Sequence, residues 1–164
     1  MTLILGTLAA EYTILVGDRR ITRRSGNNTE IVREDCDKVL MSIRLQDAVV
    51  SIGFSGLAIV PQPHGFDTSA WLPKALMSAM QPDHKLIPTL YRLLDITTRE
   101  FRVNPAIKKC SPADARLVIA IVGYLQQDDG SWSPFERQLS NFHRRPNPSQ
   151  TWLSMSLRLS RARS

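Results

Sequence analysis

The sequence predicts an α+β domain in which strands precede and follow two helices. Short β-branched and leucine-rich runs crowd the first 56 residues, and a continuous β-type run returns at 116–124. Between them, apolar residues recur at the three- and four-residue spacing of amphipathic helices. Because strands and helices stand in separate blocks, the order favours layered antiparallel sheets over a parallel α/β fold.

The first part of the chain predicts two hairpins with a turn between them. Ser25-Gly26-Asn27-Asn28 predicts that turn, with a short strand on one or both sides. Each hairpin is indicated by two apolar runs on either side of polar residues. The four runs are 3–9 and 12–17 in the first hairpin, then 39–43 and 48–54 in the second.

Two helices are predicted next, over Ala70–Met80 and Leu86–Phe101, lying across one face of the sheet. Pro82-Asp83 separates them and Asn104-Pro105 ends the second, since proline disfavours a helical residue before it. A last hairpin is predicted from Arg116–Tyr124, a turn at 128–131 and the strand that follows.

The formal charge of +6 is concentrated at the end of the chain. Residues 144–164 contain five arginines and no acidic residue, leaving 16 basic against 15 acidic residues before them. We therefore divide the chain into one domain over 1–143 and a basic tail over 144–164. The tail is predicted to be poorly ordered, or a short strand or helix that needs a partner. Nucleic acid is a weak partner hypothesis, because it depends on this tail alone.

Composition indicates a reduced, cytoplasmic protein without cofactor or metal. Cys36 and Cys110 are far apart, and no histidine has metal-ligand spacing to either. Glu11 and Asp18 interrupt the first apolar stretch well short of the roughly 18 residues of a membrane span, so no membrane association is predicted.

Thr2 is a candidate nucleophile. A hydroxyl needs a nearby base, and an N-terminal residue carries one in its own α-amine, whose reference pKa is about 7.7–8.0. Removal of Met1, which small second residues permit, would place that amine on Thr2. The alternative is that Thr2 is simply a small residue at the start of a strand.

Three further residues would complete such a site. A fixed cation favours the neutral amine and a carboxylate holds the cation, for which Lys38 and Asp18 are the candidates. A glycine that ends a strand can bring a backbone N–H to an oxyanion, and Gly56 has that position. The alternatives are that Lys38 is an ordinary solvated lysine, and that Asp18 merely caps a turn and pairs with Arg19, Arg20 or Lys38.

The order of these motifs resembles the proteasome-type N-terminal-nucleophile hydrolases, which include the proteasome β-subunits and bacterial HslV-like peptidases. The matching positions are Thr2, sixteen residues before Asp18, then Asp37-Lys38-Val39 and Phe54-Ser55-Gly56-Leu57-Ala58. The resemblance covers about residues 2–140. It implies a layered sandwich of antiparallel sheets and helices. It also implies a threonine-type peptidase or amide hydrolase, acting on peptide or amide substrates as a homo-oligomer or ring.

The resemblance stops at the C-terminal side. Family members continue with two further helices and supporting residues that have no counterpart here, and Ser140 is not assigned a role. We therefore expect an incomplete sandwich that exposes the apolar face of one sheet. Three explanations stay open: a truncated relative, a frameshifted product with an unrelated tail, or a domain completed by a partner. A non-catalytic structural subunit is the alternative function.

Overall fold

The computed structural model is α+β, with helices and antiparallel sheets. It describes residues 4–9, 12–25, 28–61, 65–80, 84–141 and 156–160. The first four strands are β1 (Ile4–Leu8), β2 (Thr13–Gly17), β3 (Ile21–Ser25) and β4 (Asn28–Arg33). The next four are β5 (Val39–Arg44), β6 (Ala48–Gly56), β7 (Ile59–Val60) and β8 (Phe66–Asp67). After them come α1 (Thr68–Ala79), α2 (Leu86–Val103), α3 (Pro105–Lys108), β9 (Leu117–Gln126), β10 (Trp132–Ser140) and β11 (Ser156–Ser160).

A five-stranded antiparallel sheet forms the centre, in the order β11-β10-β9-β6-β5. The pairing of β6 with β9 joins the two halves of the sequence, with Ile52 opposite Ile121 and Phe54 opposite Ile119. These four side chains are buried and point to one face, because alternate residues of a strand share a face.

The helices cover that face of the sheet. Leu72 of α1 and Leu90 and Leu93 of α2 are fully buried and belong to the same apolar core as the β6 and β9 residues. Asp67 caps α1, since its side chain accepts hydrogen bonds from the backbone N–H groups of Ser69 and Ala70. The two helices therefore form a layer on one side of the sheet.

The β1–β2 hairpin lies on the opposite face. It contacts β5, β6, β9 and β10, and Gly6 lies so close to Val122 that an added Cβ would be 3.2 Å from the valine methyl. At the turn end of the hairpin, the Tyr124 hydroxyl donates to the Ala9 carbonyl at 3.0 Å. Helices, central sheet and hairpin thus make three layers.

The outer side of β2 is apolar and exposed. Ile14 and Val16 are 47% and 55% exposed, and Tyr12 just before the strand is also exposed. The residues between them, Thr13 and Leu15, are more buried because they face the sheet.

Several elements differ from the sequence-based expectation. The first helix begins at Thr68 and not at Ala70, because the Asp67 cap lies earlier than the apolar pattern indicates. The short elements β7, β8 and α3 were not predicted, since two to four residues carry too little periodicity. Within the tail, Ser156–Ser160 form β11 and pair with β10.

Among the described residues, no helix is both long enough and apolar enough to cross a membrane.

Candidate functional site

Thr2 lies outside the described residues, two positions before β1. The first described residue, Ile4, pairs with Gly17 at the end of β2. Asp18, the next candidate residue, follows β2 directly after Gly17.

Asp18 follows β2 directly and is fixed by a local backbone contact. Its Oδ1 accepts a hydrogen bond from the Arg20 backbone N–H at 2.9 Å. This hydrogen bond, aided by the nearby Lys38 charge, lowers the pKa of Asp18 below its ordinary value. The carboxylate is therefore ionised at neutral pH, and its side chain remains 44% exposed to solvent.

Lys38 is buried, with 1% of its surface exposed. Its Nζ donates a hydrogen bond to the backbone carbonyl of Arg20 and lies 3.7 Å from Asp18 Oδ2. Lysine is almost never fully buried without such partners, because desolvating an ammonium group costs several kcal/mol. The alternative of an ordinary solvated lysine is therefore wrong.

Backbone hydrogen bonds hold Lys38 in this position from both sides. Its own carbonyl accepts from the Phe54 N–H of β6 at 2.8 Å, and two residues earlier the Cys36 N–H donates to the Arg19 carbonyl at 3.0 Å. Residues 36–38 thus run between the end of the hairpin and the edge of β6. This path directs the Lys38 side chain toward Asp18.

The arginines next to Asp18 pair with other carboxylates. Arg19 Nη2 lies 3.3 Å from Asp37 Oδ1, and Arg20 Nη2 lies 3.9 Å from Glu34 Oε1. Among the described residues, Lys38 is the cation whose ion pair with the Asp18 carboxylate is within 4 Å. The structure thus brings Asp18 and Lys38 together. The alternative in which Asp18 caps a turn and pairs with Lys38 is met by the same contacts.

Gly56 ends β6 with a φ of +98°, in the left-handed region that favours glycine. A Cβ here would collide with the Arg116 carbonyl of the chain leading into β9. The close approach of this backbone therefore explains the glycine without reference to chemistry.

Gly56 lies two residues beyond the strand position that contacts the Lys38 backbone. That position is Phe54, whose N–H donates to the Lys38 carbonyl on the β5 side of β6. The structure does not bring Gly56 into direct contact with Asp18 or Lys38.

No family model, no curated protein and no solved structure matches this chain.

The role of Arg20 could not be predicted from the sequence, because Arg20 acts through its backbone groups. Its N–H binds Asp18 and its carbonyl accepts from Lys38, so one residue orders both partners. Ser140 is fully buried at the end of β10. In the described part of the chain, no group of three His, Cys, Asp or Glu side chains could hold a metal ion.

Proposed function

We propose that this protein is a threonine-type peptidase or amide hydrolase of the N-terminal-nucleophile kind. Thr2 is the nucleophile once Met1 is removed, Asp18 and Lys38 adjust its α-amine, and Gly56 supplies an oxyanion donor. The observation that carries the proposal is the buried Lys38 ammonium between the Asp18 carboxylate and the Arg20 carbonyl. Desolvating an ammonium group is costly, and ionisable groups in such environments are enriched at functional sites.

The proposed reaction begins with the neutral α-amine of Thr2. The amine takes the proton from the Thr2 hydroxyl as Oγ bonds to the amide carbonyl carbon of the substrate. The adjacent Lys38 charge lowers the pKa of the amine, so that it is neutral at physiological pH. The negative oxygen of the tetrahedral intermediate accepts a hydrogen bond from the Gly56 N–H.

Breakdown of the intermediate cleaves the C–N bond. The protonated α-amine gives its proton to the leaving nitrogen, which departs as an amine and leaves an ester on Thr2 Oγ. Water then attacks the ester carbonyl carbon while the α-amine accepts a proton from the water. The protonated α-amine returns that proton to Thr2 Oγ as the bond between Oγ and the carbonyl carbon breaks. The products are a carboxylic acid and an amine, and the site returns to its starting state.

Intact mass is the first test, because the mechanism requires a free α-amine on Thr2. We expect the mass of the chain without Met1, and retention of Met1 would contradict the proposal. With Met1 absent, Thr2→Ala should abolish hydrolysis of a fluorogenic peptide-amide library, whereas Thr13→Ala in β2 should retain it. Equal activity in both variants would reject Thr2 as the nucleophile.

Lys38→Met separates a functional lysine from a structural one. Removing one partner of a buried ion pair costs about 3–5 kcal/mol when the other charge stays buried. Asp18 is 44% exposed, so we expect Lys38→Met to lower the free energy of unfolding by less than that. Activity should fall by about 100-fold or more. Lys74→Met, at an exposed position of α1, is the control and should change neither quantity. A destabilised but active Lys38→Met protein would indicate a structural role.

The alternative is a non-catalytic structural subunit of a homo-oligomer or ring. The exposed apolar side chains of Tyr12, Ile14 and Val16 favour it, because an assembled relative would cover such a face. Native mass spectrometry tests this alternative: a defined oligomer that retains Met1 and hydrolyses no amide would support it over the enzyme.

A further inference from the structure

A chain of side-chain contacts links the start of α1 to the segment that carries Lys38. Asp67 Oδ1 accepts from the Ser69 backbone N–H at 2.8 Å and from the Ser69 hydroxyl at 2.6 Å. Its other oxygen, Oδ2, lies 3.3 Å from Arg33 Nη1. The carboxylate therefore caps the helix with one oxygen and holds the end of β4 with the other.

Arg33 extends this contact to the next segment. Its Nε donates to Asp35 Oδ1 at 3.1 Å, so the guanidinium joins Asp67 to Asp35. Between Asp35 and Lys38 lies Cys36, which is 1% exposed, and its thiol lies beside the Ser69 side chain. The segment that leads to Lys38 is therefore attached to the helix start at an exposed ion pair and at a buried contact.

The two attachments differ in strength. The Arg33 pairs are partly exposed, and such pairs contribute little individually. The Cys36 contact is buried, and it lies two residues from Lys38 in a segment whose backbone is also hydrogen-bonded to Arg19. Movement of this segment would carry the Lys38 ammonium away from Asp18.

We propose that Asp67 and Ser69, at the start of α1, are positioning residues that hold residues 33–36 and thereby fix Lys38 beside Asp18. This inference rests on the proposed function for its catalytic consequence, but its structural content is independent of activity. The helix start would thus act on the site through Arg33 and Cys36, without touching the reacting atoms.

The test measures the pKa of Asp18 by NMR titration of its carboxyl carbon in full-length variants. Displacing Lys38 removes a nearby positive charge and raises the pKa of Asp18, and Lys38→Met gives the largest rise this route can produce. Asp67→Asn retains a good helix cap but loses the charge that holds Arg33. We expect it to raise the pKa of Asp18 part of the way to the Lys38→Met value.

The direction of the shift excludes a direct charge effect. Removing the negative charge of Asp67 would by itself lower the pKa of Asp18, so a rise reports displacement of Lys38. Ser69→Ala is an uncharged second variant, which keeps the experiment decisive if Asp67→Asn does not fold, and it should give a rise of the same sign.

Asp47→Asn is the matched control, because Asp47 Oδ1 also accepts a helix N-terminal amide, that of Leu86 at 2.8 Å. Asp47 precedes β6, at the opposite end of that strand from Gly56. The Asp47→Asn substitution should leave the pKa of Asp18 unchanged. If Asp67→Asn and Ser69→Ala also leave it unchanged, or lower it, the positioning role is wrong.

Kinetics add a second readout once activity is measured. Misplacing Lys38 affects the α-amine and not substrate binding, so kcat should fall up to about 100-fold with KM unchanged in Asp67→Asn. Asp47→Asn should retain kcat. If the pKa of Asp18 rises in these variants but the wild-type protein hydrolyses no amide, the positioning role is supported and the proposed function is rejected. If the wild-type protein is active but the pKa of Asp18 does not rise in the variants, the proposed function is supported and the positioning role is rejected.

Discussion

Burial of the Lys38 ammonium replaces water by two protein groups, the Arg20 carbonyl and the Asp18 carboxylate. The carboxylate is itself held by the Arg20 amide and remains partly solvated. Solvent can therefore reach Asp18 while Lys38 is shielded. At the scale of single residues, the two charges of this ion pair therefore differ in their exposure to solvent.

Asp18 makes stability depend on pH. Because folding lowers its pKa, the unfolded chain binds this proton more tightly, and the carboxylate stabilises the fold at neutral pH. That contribution is lost as the pH falls through the lowered pKa. Asp18→Asn should therefore be less stable than wild type in urea unfolding at pH 7, and the difference should narrow toward pH 2.

Asp37→Asn is the control for this experiment, because Asp37 and its partner Arg19 are largely exposed. It should have little effect at either pH. A difference between Asp18→Asn and wild type that stays constant from pH 7 to pH 2 would contradict the assigned cause.

Gly56 can be tested against a second glycine of similar backbone conformation. Gly130 has a φ of +82° with nothing within 4 Å of an added Cβ, whereas a Cβ on Gly56 meets the Arg116 carbonyl. Gly130→Ala should cost about 1–2 kcal/mol from the backbone alone. Gly56→Ala should cost about 3 kcal/mol or more. If both variants lose the same free energy of unfolding, the backbone at Arg116 must shift to make room for the added methyl group.

At the scale of elements, the β1–β2 hairpin holds Asp18 but has few anchors of its own. It is a two-stranded sheet, and such hairpins are marginal without packing against another layer. The Tyr124 hydroxyl bond to Ala9 and the close Gly6–Val122 contact attach it to β9. Its opening should therefore be separable from unfolding of the central sheet.

Tyr124→Phe tests this separation. Loss of the hydroxyl should cost about 1 kcal/mol, which accelerates hydrogen exchange of the hairpin amides about fivefold. The amides of β6 and β9 should exchange as in wild type. Tyr91→Phe, at an exposed position of α2, is the control and should change neither set. An equal acceleration in hairpin and central sheet would mean that they open together.

At the scale of the whole molecule, the three layers leave the outer side of β2 apolar. Ile14→Thr with Val16→Thr should change the free energy of unfolding by no more than about 0.5 kcal/mol per site, because both side chains are already exposed. Binding of a hydrophobic dye to the native protein should fall. Leu72→Ala in the core provides the contrast, with an expected cost of about 2–5 kcal/mol. A large loss of stability in the threonine variant would show that these side chains are covered in solution.

Local patterns were sufficient for most strands and both long helices. The runs 39–43 and 48–54 match β5 and β6 closely, because alternation and apolar content are properties of neighbouring residues. The position of β9 between β6 and β10 could not be predicted this way. Strand order depends on contacts between distant segments, and the local sequence of one strand does not indicate which distant strand pairs with it.

Some features of the candidate site could also be predicted from local sequence, and others could not. Residue type and spacing singled out Asp18 and Lys38, which lie 3.7 Å apart. The sequence does not predict the burial of Lys38, because a lysine in a polar segment is ordinarily solvated. It does not predict the contacts of the Arg20 backbone either, since nearly every residue carries the same N–H and carbonyl groups.

The pairing of Gly56 with Leu117 has a consequence for biosynthesis. Roughly 60 residues separate the two strands, which a ribosome adds in about 3–12 s at 5–20 residues per second. Until β9 is synthesised, β6 lacks one of its two neighbours in the central sheet. Both long helices are therefore synthesised before the sheet strand that ends at Gly56 can complete its pairing.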